Sequence, residues 1–126
     1  MKKTFTILVA DKNRHIRDFL RRELSAEGYE VVVAENGGRI VAEIERDNRV
    51  DLLVFDLEMP GADSSKILEI TQKRNPPLPV VIHTFLTEER ERRLISQKGG
   101  EIYIERSGNI DHLKTAIADM LLRYYP

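Results

Sequence analysis

The chain has 126 residues, 41% of them hydrophobic and 33% charged, which is the size and composition of one globular domain able to bury its own core. A net charge of −1 leaves no basic excess to neutralise phosphates and speaks against a nucleic-acid binder. With no cysteine, disulfides, thiol catalysis and cysteine–zinc sites are excluded, and no apolar run is long enough to span a bilayer.

Lys2-Lys3 ahead of an apolar stretch has the outline of a signal peptide. The apolar part is short, however, and Asp11-Lys12-Asn13-Arg14 follows where a small-residue cleavage site would stand. Residues 4–10 therefore read as a first buried strand ending at Asp11, and the cytoplasm is the expected compartment. Asn13 can cap a helix that carries Ile16, Phe19, Leu20 and Leu24 at helical spacing, and Gly28 supplies its left-handed stop. Residues 29–34 form a valine-rich strand. Asn36-Gly37-Gly38 reads as a turn, and Ile40, Val41 and Ile44 mark a short amphipathic helix ending near Asp47-Asn48.

The stretch Asp51-Leu52-Leu53-Val54-Phe55-Asp56-Leu57-Glu58-Met59-Pro60-Gly61 organises the rest. Its apolar run, with no alternation, predicts a central strand of a parallel sheet covered on both faces. Asp56 then stands at the carboxyl end, where open α/β sheets place their chemistry. Asp63-Ser64-Ser65 can cap a helix with Ile67, Leu68 and Thr71 inward, stopped by Asn75-Pro76-Pro77. Residues 78–84 are a further strand. Residues 87–98 predict a nearly all-polar helix with only Leu94 and Ile95 to bury, its acids leading and its bases trailing as the helix dipole prefers. A short strand over 101–105 and a last helix follow, the helix capped by Asn109 and carrying Ile110, Leu113, Ile117, Met120 and Leu121 on one face. Five strands alternating with five helices make a doubly wound parallel sheet within a single domain, 1–126.

Polar groups arrive together at the carboxyl edge of that sheet: Asp11 with Lys12, Asp56 with Glu58, His83-Thr84, and Arg106 after Tyr103. Carboxylates converging with a hydroxyl and a cation can hold a hard cation and an oxyanion together. His83 is expected to face away from the pocket, His15 and His112 to lie on helix surfaces, and no spacing suggests zinc.

Ile7-Leu8-Val9-Ala10-Asp11, Ile16-Arg17, Glu27-Gly28-Tyr29, Ala34-Glu35-Asn36-Gly37, the 51–61 stretch and Leu78-Pro79-Val80-Val81-Ile82-His83-Thr84 together resemble a bacterial response-regulator receiver domain, essentially end to end. The resemblance implies a flavodoxin-like topology and a part in two-component phosphorelay signalling. Asp56 would accept a phosphoryl group from a histidine kinase or phosphotransfer protein as an acyl phosphate. Asp11, Asp56 and the backbone carbonyl of Glu58 would hold Mg²⁺, and Thr84 and Arg106 would meet the phosphoryl oxygens. Thr84 and Tyr103 would act as the switch, altering an 87–123 face that meets a downstream protein and is a candidate homodimer surface. Such a domain is not an enzyme beyond its own phosphorylation and dephosphorylation.

The sequence departs from that family at the site itself. Lys12 stands where a second acid is usual, so an ammonium is expected beside Asp56, weakening or replacing the metal. Phe85 follows the threonine in place of a small residue. Arg106 replaces a lysine, and Ser107 the proline after it. Ser64 and Ser65 are read as local turn and cap variation. These changes motivate a second hypothesis, a phosphorylation-independent pseudo-receiver that binds a partner through the 87–123 face. A third, a flavin or nucleotide carrier, lacks the Ser/Thr/Gly cradle a phosphate site wants in residues 11–14.

Overall fold

Alternation and burial explain why each strand lies where it does. The computed structural model describes residues 4–46, 49–84, 102–105 and 110–126. Its strands are β1 (Thr6–Ala10), β2 (Glu30–Ala34), β3 (Leu52–Phe55), β4 (Val80–Thr84) and β5 (Ile102–Glu105), all parallel, in the spatial order β2-β1-β3-β4-β5. Its described helices are α1 (Arg14–Ala26), α2 (Gly37–Glu45), α3 (Ser64–Lys73) and α4 (Ile110–Tyr124). The helix expected over 87–98 lies outside the described residues.

Successive side chains of a strand point to opposite faces, so the sheet carries two cores. Leu8, Ala10, Leu53, Phe55, Val80 and Ile82 pack with Ile40 and Ile44 of α2 and Ile67 and Leu68 of α3. Ile7, Val9, Leu52, Val54 and Val81 pack with Leu20 and Leu24 of α1 and with Leu113, Ile117 and Met120 of α4. Both faces of β1 and β3 are thereby covered, which is why these strands read as unbroken apolar runs. β2 is one of the two edge strands, and of its residues only Ala34 is buried.

The local stop and start signals act as the sequence suggests. Asn13 Oδ1 accepts the main-chain N–H of His15 at 2.8 Å and of Ile16 at 3.3 Å, capping α1. Gly28 takes a φ of +93°, the left-handed conformation that ends that helix. Asp63 caps α3, which buries Ile67, Leu68 and Thr71 as their spacing requires. One reading is corrected. Gly37 and Gly38 do not complete a turn but begin α2, because Asn36 Oδ1 accepts the N–H of Arg39 at 2.9 Å and caps the helix two residues before that turn would end.

At the amino edge of the sheet a second carboxylate is spent on structure. Asp51 is 5% exposed, and its Oδ2 accepts the N–H of Thr6 at 2.7 Å. The Tyr125 hydroxyl donates to the Asp51 carbonyl at 2.8 Å, and Arg74 Nη1 donates to the Val50 carbonyl at 2.7 Å. Burial raises the Tyr125 pKa above its ordinary 10.0, with the nearby Arg74 guanidinium pulling it back and Asp51 adding to the rise. A raised folded-state pKa means stability is full below the unfolded value and is lost as pH climbs through the folded one. Chemical denaturation of the Tyr125→Phe variant is therefore expected to show a smaller loss of stability above pH 10.0 than the unsubstituted chain. At neutral pH the variant is expected to lose about 1 kcal/mol with its hydrogen bond. Tyr29, also raised chiefly by burial, accounts for alkaline sensitivity that survives.

Candidate functional site

β1 and β3 are neighbours in the sheet although β2 comes between them in sequence, so the connections leaving their carboxyl ends diverge and open a crevice there. Ala10 and Phe55 are partners in register, and the Asp56 N–H donates to the Ala10 carbonyl at 3.0 Å. The next residue of each strand is therefore a carboxylate at the same level: Asp11 and Asp56, each 1% exposed.

A buried carboxylate needs hydrogen-bond donors. Asp56 Oδ1 accepts the Glu58 main-chain N–H at 3.0 Å, and Oδ2 accepts the Lys12 main-chain N–H at 3.4 Å. Asp11 Oδ1 accepts the Asn13 N–H at 2.9 Å. Each carboxylate is thus gripped by the loop that follows a strand.

The ammonium expected beside Asp56 finds its ion pair elsewhere. Lys12 Nζ lies 3.0 Å from Glu58 Oε2, both side chains about half exposed at 48% and 54%, and Lys12 reaches Asp56 with its main-chain N–H. The physical reason is hydration: an ammonium at the rim keeps part of its water shell, whereas docking on a fully buried carboxylate strips it. The pair bridges the β1–α1 and β3–α3 loops across the mouth of the crevice.

Several supporting contacts involve residues to which the sequence assigns no role at the site. Arg17 Nη1 donates to the Asp11 carbonyl at 2.8 Å and braces the β1–α1 loop from the first turns of α1. Ser64 Oγ donates to the Leu57 carbonyl at 2.9 Å, so this residue closes the β3–α3 loop in addition to the cap variation read from sequence. Met59 is 5% exposed and anchors the same loop in the core shared with α2 and α3. A half-buried hydroxyl or guanidinium donor to a loop carbonyl has no sequence signature, since its partner lies 6 or 7 residues away in an irregular segment.

The other expected site residues divide by position. Thr84 ends β4, its backbone in register with Glu105, and Tyr103 lies in β5 opposite Ile82. Phe85, Arg106, Ser107 and Asn109 lie outside the described residues, as does most of the 87–123 face. His83 is buried, and strand alternation places it on the face of Val81, packed by α1 and α4. His15 and His112 are exposed. Among the described residues no group of three or more His, Cys, Asp and Glu side chains could hold a metal. Two buried carboxylates at adjacent strand ends are still donors that suit Mg²⁺, which takes few protein carboxylates and keeps its waters.

Comparison with known proteins decides the family. The model of the response regulator receiver domain matches residues 7–118. The chain belongs to that family. The receiver is 31% identical over 120 residues to the response regulator MprA of Mycobacterium leprae, covering 95% of this chain and 52% of that protein. It is 29% identical over 115 residues to the CAI-1 autoinducer sensor kinase/phosphatase CqsS of Vibrio cholerae, covering 89% of this chain and 17% of that one. The chain thus spans about half the length of MprA and less of CqsS. Among solved structures it is similar to a CheY-like receiver domain protein from Methanospirillum hungatei, with a TM-score of 0.88, 26% identity and 96% coverage of both chains. It is also similar to the response regulator TrrA of Thermotoga maritima in complex with Mg²⁺-BeF, with a TM-score of 0.81, 31% identity, and coverage of 93% of this chain and 99% of that one. TrrA has also been solved in complex with the histidine kinase ThkA. The flavodoxin-like receiver fold and a place in two-component signalling follow. No helix among the described residues is long and apolar enough to cross a membrane.

Proposed function

We propose that this receiver, spanning 1–126 as one domain, accepts a phosphoryl group on Asp56 from a histidine kinase or phosphotransfer protein in the cytoplasm. The observation that carries the proposal is the pair of buried carboxylates at the β1 and β3 ends, with Asp56 oriented by the N–H groups of Glu58 and Lys12. A carboxylate oxygen of Asp56 forms the new O–P bond while the donor's P–N bond breaks, its electron pair leaving on the imidazole nitrogen. The two N–H bonds hold the carboxylate in one rotamer, so orientation is settled before the donor arrives. Asp11, Asp56 and the Glu58 carbonyl would hold Mg²⁺, which supplies positive charge to the transferring oxygens when bound. The Lys12–Glu58 pair adds a fixed cation at the same mouth and lowers the affinity for a free one. Thr84 and Arg106 are proposed to meet the phosphoryl oxygens, and Thr84 with Tyr103 to pass the change to the 87–123 face. The presence of Mg²⁺-BeF with the similar TrrA, and of ThkA in another complex of that protein, supports both the ligand and the kind of partner.

Intact mass after incubation with acetyl phosphate, with and without Mg²⁺, tests this. A single phosphoryl adduct on Asp56 that needs the metal is the expected result. An adduct formed equally well without metal would give the cationic role to Lys12. No adduct under conditions where an ordinary receiver reacts would overturn the proposal and leave the phosphorylation-independent binding module.

A further inference from the structure

Gly37 lies outside the carboxylate pocket, at the start of α2, yet it touches the loop on which the pocket depends. It is buried, and its N–H donates to the Pro60 carbonyl at 3.0 Å. A Cβ added to Gly37 would run into the Gly61 carbonyl oxygen and lie 2.7 Å from Ala62 Cα and 2.8 Å from Gly61 C. All of these are backbone atoms, so no side chain can swing aside, and accommodation would require the 57–62 segment to move. That segment is short and held at other points. Ser64 Oγ holds the Leu57 carbonyl, and the Glu58 N–H holds Asp56 Oδ1 at 3.0 Å. Gly61 takes a φ of +66°, which turns the chain back toward α3. A displacement at Pro60–Gly61 is therefore passed along two or three residues to Glu58 and from there to the carboxylate.

The neighbouring Gly38 supplies the contrast. A Cβ there meets only Asn36 Oδ1, at 3.4 Å, and points into open space otherwise. Of two adjacent glycines in the first turn of one helix, Gly37 is buried against the β3–α3 loop and Gly38 is exposed and does not touch it.

From this contrast we infer that Gly37 is a positioning residue of the Asp56 pocket: the absent side chain lets the amino end of α2 seat the β3–α3 loop so that the Glu58 N–H orients Asp56. The inference rests on the reading of Asp56 as the reacting carboxylate for its functional meaning, while the mechanical linkage can be measured without it.

The test is amide hydrogen exchange, followed by binding of beryllofluoride with Mg²⁺, in Gly37→Ala, Gly38→Ala and the unsubstituted chain. In Gly37→Ala the Glu58 amide is expected to exchange about tenfold faster relative to the sheet amides of Val9 and Val54, and beryllofluoride binding to weaken by about the same factor. Gly38→Ala is expected to leave both unchanged. A folded Gly37→Ala protein with Glu58 protection unchanged relative to the sheet would overturn the inference, as would an equal effect from Gly38→Ala. Should Gly37→Ala fail to fold, the unsubstituted chain decides: the Gly37 and Glu58 amides must open together, with the same denaturant dependence, and separate openings would overturn the linkage. If the unsubstituted chain binds no beryllofluoride, the proposed function falls, and the exchange data judge the positioning role on their own.

Discussion

Replacing Asp56 with asparagine is expected to abolish phosphoryl uptake while leaving the domain folded. Asparagine keeps the shape and keeps Oδ1 as an acceptor for the Glu58 N–H, now found at 3.0 Å, and gives up the longer bond from the Lys12 N–H at 3.4 Å. It removes the nucleophilic carboxylate, and a neutral amide cannot form the acyl phosphate. Asp56 is 1% exposed, so a neutral amide also removes the cost of burying a carboxylate there. Stability should hold or rise by about 1 kcal/mol, a shift of a few degrees in Tm. The two readouts together separate chemistry from unfolding. Loss of the adduct with Tm maintained assigns the reaction to Asp56. An adduct that persists at the unsubstituted level would place the phosphoryl group on another residue.

Lys12→Asp is expected to tighten Mg²⁺ binding at least about tenfold, equivalent to ~1.4 kcal/mol. The substitution removes the ammonium that pairs with Glu58 at 3.0 Å and puts a carboxylate on the same loop as Asp11. A net change of two charges beside a divalent ion is worth several kcal/mol even at the high effective dielectric of a protein surface. Part of that is offset because Lys12 and Glu58 are about half exposed and salt screens them. The Lys12 main-chain N–H to Asp56 survives the change, so the orientation of the acceptor should not be affected. Calorimetric titration of Mg²⁺ into both forms reads the effect directly, without any phosphoryl transfer. Equal affinities would show that the Lys12–Glu58 pair does not compete with the ion, and would return the weight to Phe85, Arg106 and Ser107 as the altered features of the site.

Local physics was legible in the sequence. The unbroken apolar runs of β1 and β3 announced buried parallel strands, and so placed Asp11 and Asp56 at one edge of the sheet. The spacing of Ile67, Leu68 and Thr71 named the inward face of α3, and Gly28 marked the end of α1. Each depends on residues within a turn or two, where propensity and periodicity act without knowledge of the rest of the chain. Asn36-Gly37-Gly38 reads equally as a turn and as the opening of a helix. The Asn36 side chain resolves it by capping the helix.

What needed the tertiary structure was every contact between segments distant in sequence. Lys12 and Glu58 are 46 residues apart, and only the adjacency of β1 and β3 brings their loops together, so the expected partner, Asp56, gave way to a better-hydrated one. Gly37 meets Gly61 because α2 and α3 cover the same face of the sheet, and the steric role of a missing Cβ is invisible until its neighbour is known. The sequence alone indicated which apolar runs build the core and which carboxylates stand at the strand ends. The tertiary structure decided what those carboxylates are held by, because orientation depends on donors that a linear pattern does not place.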